Sequence, residues 1–131
     1  LLGLHHLHLR NPNPDEGFAW LLDKFGGKKM QLKNRIDGIR YDADGFSSVW
    51  ILITKGEAEP STGRAIDHIG WRSVGPLKDT IDGLRAKKVE IETEPRPLNL
   101  PNGPSINFSY VKGPAGARIE LVERPGLKPG Q

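Results

Sequence analysis

The chain repeats itself at a fixed offset, and that repeat limits its fold more than any other feature. Leu4 to Pro14 (LHHLHLRNPNP) and Ile66 to Pro76 (IDHIGWRSVGP) superpose at an offset of 62 residues. His6 falls on His68, Leu7 on Ile69, Leu9 on Trp71, Arg10 on Arg72 and Pro14 on Pro76. Self-similarity of this kind marks one structural unit used twice. Each copy runs on into a helical pattern, DEGFAWLLDKFGG and LKDTIDGLRAKK. Phe18, Leu21, Leu22 and Phe25 share one face of the first, and Leu77, Ile81 and Leu84 share the corresponding face of the second. Pro14, the acids after it and Gly26-Gly27 are helix start and stop signals. Strand-like segments follow each helix: KMQLKNRI, IRYDADG and SSVWILIT in the first half, VEIETEP, INFSYVK and ARIELVE in the second. DADG reads as a turn, and RPLNLPNGP and KGPAG read as loops.

The expected order is therefore β-α-β-β-β twice, an α+β fold with a curved, mostly antiparallel sheet forming a cup and the helices outside. The first module spans about residues 3–55, a linker GEAEPSTGR about 56–64, the second module about 65–124 and a tail 125–131. At 131 residues the whole reads as one domain with room for a core.

Composition excludes several classes. Nineteen Lys and Arg are interspersed with 16 Asp and Glu, for a net charge of +3. No basic stripe carries interleaved aromatics, which argues against nucleic acid as a partner. The absence of cysteine removes disulfides, thiolate nucleophiles and cysteine zinc sites. The apolar run VWILI is too short to span a membrane. P-loop, Rossmann and serine-nucleophile motifs are absent. With Leu1 as its first residue, the chain is compatible with a trimmed or a processed form. A cytoplasmic location is favoured, and a secreted or periplasmic one stays open.

The four histidines carry the chemistry. Alternation along a strand puts His6 and His8 on one face with Arg10, and His5 on the other with Leu7 and Leu9. In the second copy His68, Gly70 and Arg72 share the equivalent face. Two imidazoles brought together by a pseudo-twofold need a hydrogen-bond network or a metal. A 2-His-1-carboxylate set needs one more ligand. Glu120, an acid between Ile119 and Leu121, is the candidate, because a lone carboxylate is costly to bury in an apolar strand and a cation removes that cost. His8 lies about 7 Å along the strand from His6 and is a candidate acid or base. Tyr110 could place its hydroxyl beside these groups. Arg10, Arg72 and Trp50 are candidate substrate contacts, although solvation of the arginines and core packing of Trp50 are the ordinary alternatives.

With these residues in view, the chain resembles the vicinal oxygen chelate superfamily of glyoxalases, bleomycin-resistance proteins and extradiol dioxygenases. The resemblance rests on the apolar-acid-His-apolar start IDHIGW, the looser LHHLHL, and the closing PAGARIEL. It implies metal ligands at His6, His68 and Glu120, holding one divalent ion: iron, manganese, zinc or nickel. A small substrate would chelate that ion through neighbouring oxygens, in Lewis-acid chemistry of dioxygenase, lyase or transferase type. It also implies a homodimer. The alternative it offers is a metal-free protein that sequesters a drug or metabolite, as bleomycin-resistance proteins do.

Two departures stand out. Ala115 replaces the acid of the family's Pro-Asp-Gly turn. The last strand of the first half lacks a carboxylate, and matching SSVWILIT to ARIELVE puts Ile51 where Glu120 sits. This fits three-ligand members, namely ring-cleaving dioxygenases and fosfomycin-modifying transferases, better than glyoxalase I relatives, which have a fourth ligand there.

Overall fold

The computed structural model describes residues 4–43, 47–99 and 105–123. The chain divides into two compact units, with the division between Glu59 and Pro60. In the first unit, β1 (His6–Asn11) leads into α1 (Pro14–Phe25), then β2 (Lys28–Leu32), β3 (Ile36–Ala43) and β4 (Ser47–Lys55). In the second, β5 (Ile69–Ser73) leads into α2 (Leu77–Ala86), then β6 (Ile91–Leu98), β7 (Ile106–Lys112) and β8 (Arg118–Glu123). The fold is α+β, built from two βαβββ modules. Each module holds a four-stranded sheet, in the orders β1-β4-β3-β2 and β5-β8-β7-β6. β1 runs parallel to β4 and β5 parallel to β8, while the other pairs are antiparallel.

Each helix covers one face of its own sheet. Phe18 and Leu21 of α1 are buried, as are Ile39, Ile51 and Ile53 of the first sheet. Leu77, Ile81 and Leu84 of α2 are buried, as are Val111, Ile119 and Leu121 of the second. Each such side chain contributes about 1.5–3 kcal/mol by leaving water. Leu22 and Phe25, expected on the buried stripe, are only half-buried. Gly17 is buried and closely approached: a Cβ there would meet Asn11 Nδ2 at 2.7 Å and Ile53 Cδ1 at 3.0 Å. Phe25 stacks on Trp20, with ring centroids 5.5 Å apart.

The helices start differently. Pro14 opens α1, as the sequence signals suggest, and Asn13 before it accepts the Glu16 N–H, a cap the sequence reading did not name. Pro76 has no capping side chain. The first N–H of α2, from Leu77, is taken at 3.0 Å by the carboxylate of Glu123 at the end of β8. A strand thus supplies the anion that a helix N-terminus favours.

Three expectations are corrected. KMQLKNRI is not one strand: Lys33 and Asn34 both have positive φ, 51° and 54°, and Arg35 N–H closes a tight turn on Leu32 O. β6 runs through Arg96 and Pro97 to Leu98, where a loop was expected. It tolerates Pro95 and Pro97 because it is an edge strand with irregular register. The rest of that loop, including Pro101 to Pro104, and the tip of DADG lie outside the described residues. Finally, Leu52, not Ile51, occupies the place of Glu120. His8 is opposite Leu52 and Gly70 is opposite Glu120, and His8 and Gly70 are repeat counterparts. Leu52 is 2% exposed.

Candidate metal and substrate site

In the first module, registered rows cross the sheet on the face away from α1. One row reads His6, Trp50, Arg40, Lys28, and its neighbour reads His8, Leu52, Gly38, Met30. His6, His8 and Arg10 are exposed along β1, as the alternation requires. The His6 and His8 rings stand 6.4 Å apart. His8 Nε2 is 3.2 Å from Thr54 Oγ1. Trp50, half-buried, lies against Gly38, where a Cβ would come within 3.1 Å of the indole and 2.7 Å of Leu52. His5 was expected to turn away from His6, yet its Nδ1 is 2.9 Å from His6 Nδ1. His5 precedes the strand, so alternation does not govern it.

In the second module the matching row reads Gly70, Glu120, Tyr110, Thr93. The counterpart of an apolar row is here an acid beside a phenol. His68 Nε2 is 3.3 Å from Glu120 Oε2. His68 Nδ1 is 2.8 Å from Asp67 Oδ1. Tyr110 packs edge-on against His68, with centroids 5.3 Å apart, and the Arg118 guanidinium lies 3.8 Å from the Tyr110 ring centroid. Arg118 donates through Nη1 to Asp67 at 2.9 Å and pairs through Nη2 with Glu92 at 2.5 Å. Arg72 sits on the same face of β5, opposite Val122. The structure therefore brings His68, Glu120 and Tyr110 together. It places His6, His8, Arg10 and Trp50 on one face of the other module.

The ionisations of Asp67 and Tyr110 are displaced. The Gly63 N–H, then His68 and Arg118, hold the Asp67 carboxyl far below its usual range. Burial, followed by the charge of Glu120 and a hydrogen bond to it, pushes the Tyr110 phenol up. Tyr110 therefore keeps its proton at neutral pH and can donate to an oxyanion, but does not act as a base.

The donor set fits a cation. A neutral imidazole has one N–H, yet His68 faces a carboxylate at each nitrogen. Donation to one leaves the other nitrogen's lone pair against a carboxylate oxygen. A second ring proton would satisfy both carboxylates, as would a cation bound by Nε2 and Oε2, for which Asp67 at Nδ1 is the outer carboxylate that metal-bound histidines usually have. In this network three carboxylates, from Asp67, Glu92 and Glu120, are matched by one guanidinium. Among the described residues, no group of three or more His, Cys, Asp or Glu side chains stands ready to hold a metal ion. Sequence reasoning gave no role to Asp67, Glu92 or Arg118. The signal for two of them was present, in the acid of IDHIGW and the arginine of PAGARIEL.

No family model and no curated protein matches the sequence. Solved structures do match in fold. A glyoxalase / bleomycin resistance protein / dioxygenase from Nocardioides aligns over 98% of this chain and 88% of its own, at 18% identity and a TM-score of 0.63. The fosfomycin resistance protein FosX from Mesorhizobium loti aligns over 96% and 95%, at 16% identity and a TM-score of 0.67. A possible glyoxalase from Bacillus cereus aligns over 92% and 98%, at 22% identity and a TM-score of 0.61. The paired βαβββ modules and these alignments over nearly the full chain together show that the chain shares the fold of these solved glyoxalase-like and fosfomycin resistance structures.

Proposed function

We propose that the protein is a metal-dependent enzyme of vicinal oxygen chelate type, acting on a small molecule through two neighbouring oxygens. The observation that supports this best is His68 set between two carboxylates, with Nε2 facing Glu120. His68 and Glu120 would supply two ligands and His6 the third. This mixed nitrogen and oxygen set suits iron, manganese, zinc or nickel. Such an ion supplies Lewis-acid stabilisation of an enolate or oxyanion.

The chain's own residues do the rest. Tyr110, holding its proton, donates a hydrogen bond to a developing oxyanion. His8, oriented by Thr54, exchanges a proton with substrate. Trp50 offers an apolar wall, and Arg10 and Arg72 attract an anionic group. A reaction of dioxygenase, transferase or lyase type is consistent with this machinery, and FosX, a structural neighbour, is a fosfomycin resistance protein. The test is metal content of the purified chain beside His6→Ala, His68→Ala and Glu120→Ala. One ion per chain in the wild type, lost in the variants, supports the reading.

A second reading draws on Trp50, half-buried beside the exposed His6 and His8 of the first module, as a wall for a bound molecule. In that reading the protein sequesters a drug or metabolite without a metal. Metal-free wild type, with ligand binding unchanged in the His68 and Glu120 variants, would establish it. We further propose that the chain pairs as a homodimer, which light scattering on the eluted peak measures directly.

A further inference from the structure

We propose that Asp67 is a positioning residue that fixes the tautomer of His68, so that the Nε2 lone pair points toward Glu120 and His68 becomes the anchoring ligand. The inference rests on the metal reading above for its purpose, but not for its geometry.

Asp67 is pinned from several sides. Its Oδ2 accepts the Gly63 N–H at 2.5 Å, and its Oδ1 accepts from Arg118 Nη1 at 2.9 Å as well as from His68 Nδ1. Its main-chain carbonyl accepts the Ser61 hydroxyl at 2.7 Å. Ser61 is itself held by the β8 end of the module: its Oγ accepts the Arg118 N–H at 2.9 Å, and its N–H donates to Gly116 O at 3.0 Å. Gly116 permits this approach, since a Cβ there would lie 2.9 Å from Pro60 Cα. The end of the segment expected to be a linker is thus the mount for Asp67.

A carboxylate only accepts. Nδ1 lies 2.8 Å from the pinned Asp67 carboxylate while Nε2 lies 3.3 Å from Glu120, so the shorter bond holds the proton of a neutral His68 ring on Nδ1 and leaves Nε2 as a lone pair. The other repeat lacks this device. His5 stands where Asp67 does, and an imidazole beside His6 Nδ1 can donate or accept, so it dictates no tautomer. The two repeat histidines are therefore inequivalent, and the second module holds the fixed one.

The test uses the full chain labelled with 15N-histidine, in long-range 1H–15N correlation at alkaline pH, with His68 assigned by its disappearance in His68→Ala. Wild type should show His68 protonated at Nδ1. Asp67→Asn, whose amide can donate to Nδ1, should move the proton toward Nε2. It should also weaken zinc binding in calorimetry by roughly tenfold to a hundredfold. Ser61→Ala loosens the mount while leaving the carboxylate, and should lower thermal stability yet keep the tautomer. Asp67→Glu, which retains an acceptor, should keep the Nδ1 proton if Asp67→Asn fails to fold. Wild type protonated at Nε2 would overturn the proposal outright. So would a folded Asp67→Asn with the wild-type tautomer, or a Ser61→Ala that shifts it as far as Asp67→Asn does. If wild type takes up no zinc, the metal reading falls while the tautomer still decides the role of Asp67.

Discussion

Ala115 shows how one residue can be wrong for its backbone. It sits at φ 53° and ψ 32°, the left-handed region, between Pro114 and Gly116. An L-residue with a Cβ is disfavoured there by about 1–2 kcal/mol. Ala115→Gly should therefore stabilise the chain by about 0.5–1 kcal/mol, after allowing for the looser unfolded chain, as read by urea unfolding. The sequence displays the missing acid of this turn but not its cost, because the cost lies in a dihedral angle. The chain's two tyrosines offer a second residue-level check. Burial pushes the Tyr41 phenol up to about 12. Unfolded tyrosine ionises near pH 10. The stability Tyr41 carries is therefore complete below about pH 10 and is lost as pH rises through its folded value. In Tyr110→Phe, ultraviolet titration should show a single phenolate step near 12, and Tyr41→Phe should lose less stability at alkaline pH than the wild type.

At the scale of elements, the repeat made the βαβββ order legible because apolar periodicity records which face each helix buries. The start of α1 was legible too, since Pro14 and two acids are contiguous. The start of α2 was not, because its anion comes from Glu123, 46 residues away. Replacing that charge by Glu123→Gln should cost about 0.5–1 kcal/mol at the helix N-terminus, and Glu123→Ala more, in denaturant unfolding. The same limit explains the exchange of Ile51 for Leu52. Two apolar strands match almost as well one residue out of step, and a one-residue slip turns every side chain to the other face. Only the β1–β4 and β5–β8 ladders fix which residue stands beside His8 or Gly70.

At the scale of the whole molecule, the two modules share a backbone plan and differ in what they carry. The row Gly70, Glu120, Tyr110 is polar where its counterpart His8, Leu52, Gly38 ends in apolar and small residues. His8 is the one titratable side chain of that first-module row, which keeps it the residue to examine for chemistry. The pairing of His68 with Glu120 was legible in part, because Glu120 stands as an acid between Ile119 and Leu121 and the family resemblance implies both positions as ligands. Asp67, Arg118 and Glu92 were not, because each is an ordinary charged residue until the fold brings them around one imidazole. We propose that this cluster exists to hold a divalent ion. Elemental analysis by plasma mass spectrometry of the purified chain, beside His68→Ala and Glu120→Ala that retain the fold by circular dichroism, tests it directly. One transition-metal ion per wild-type chain and none in either variant is the expected result. A wild type that stays metal-free after incubation with iron, manganese, zinc and nickel, or variants that bind as it does, would contradict it.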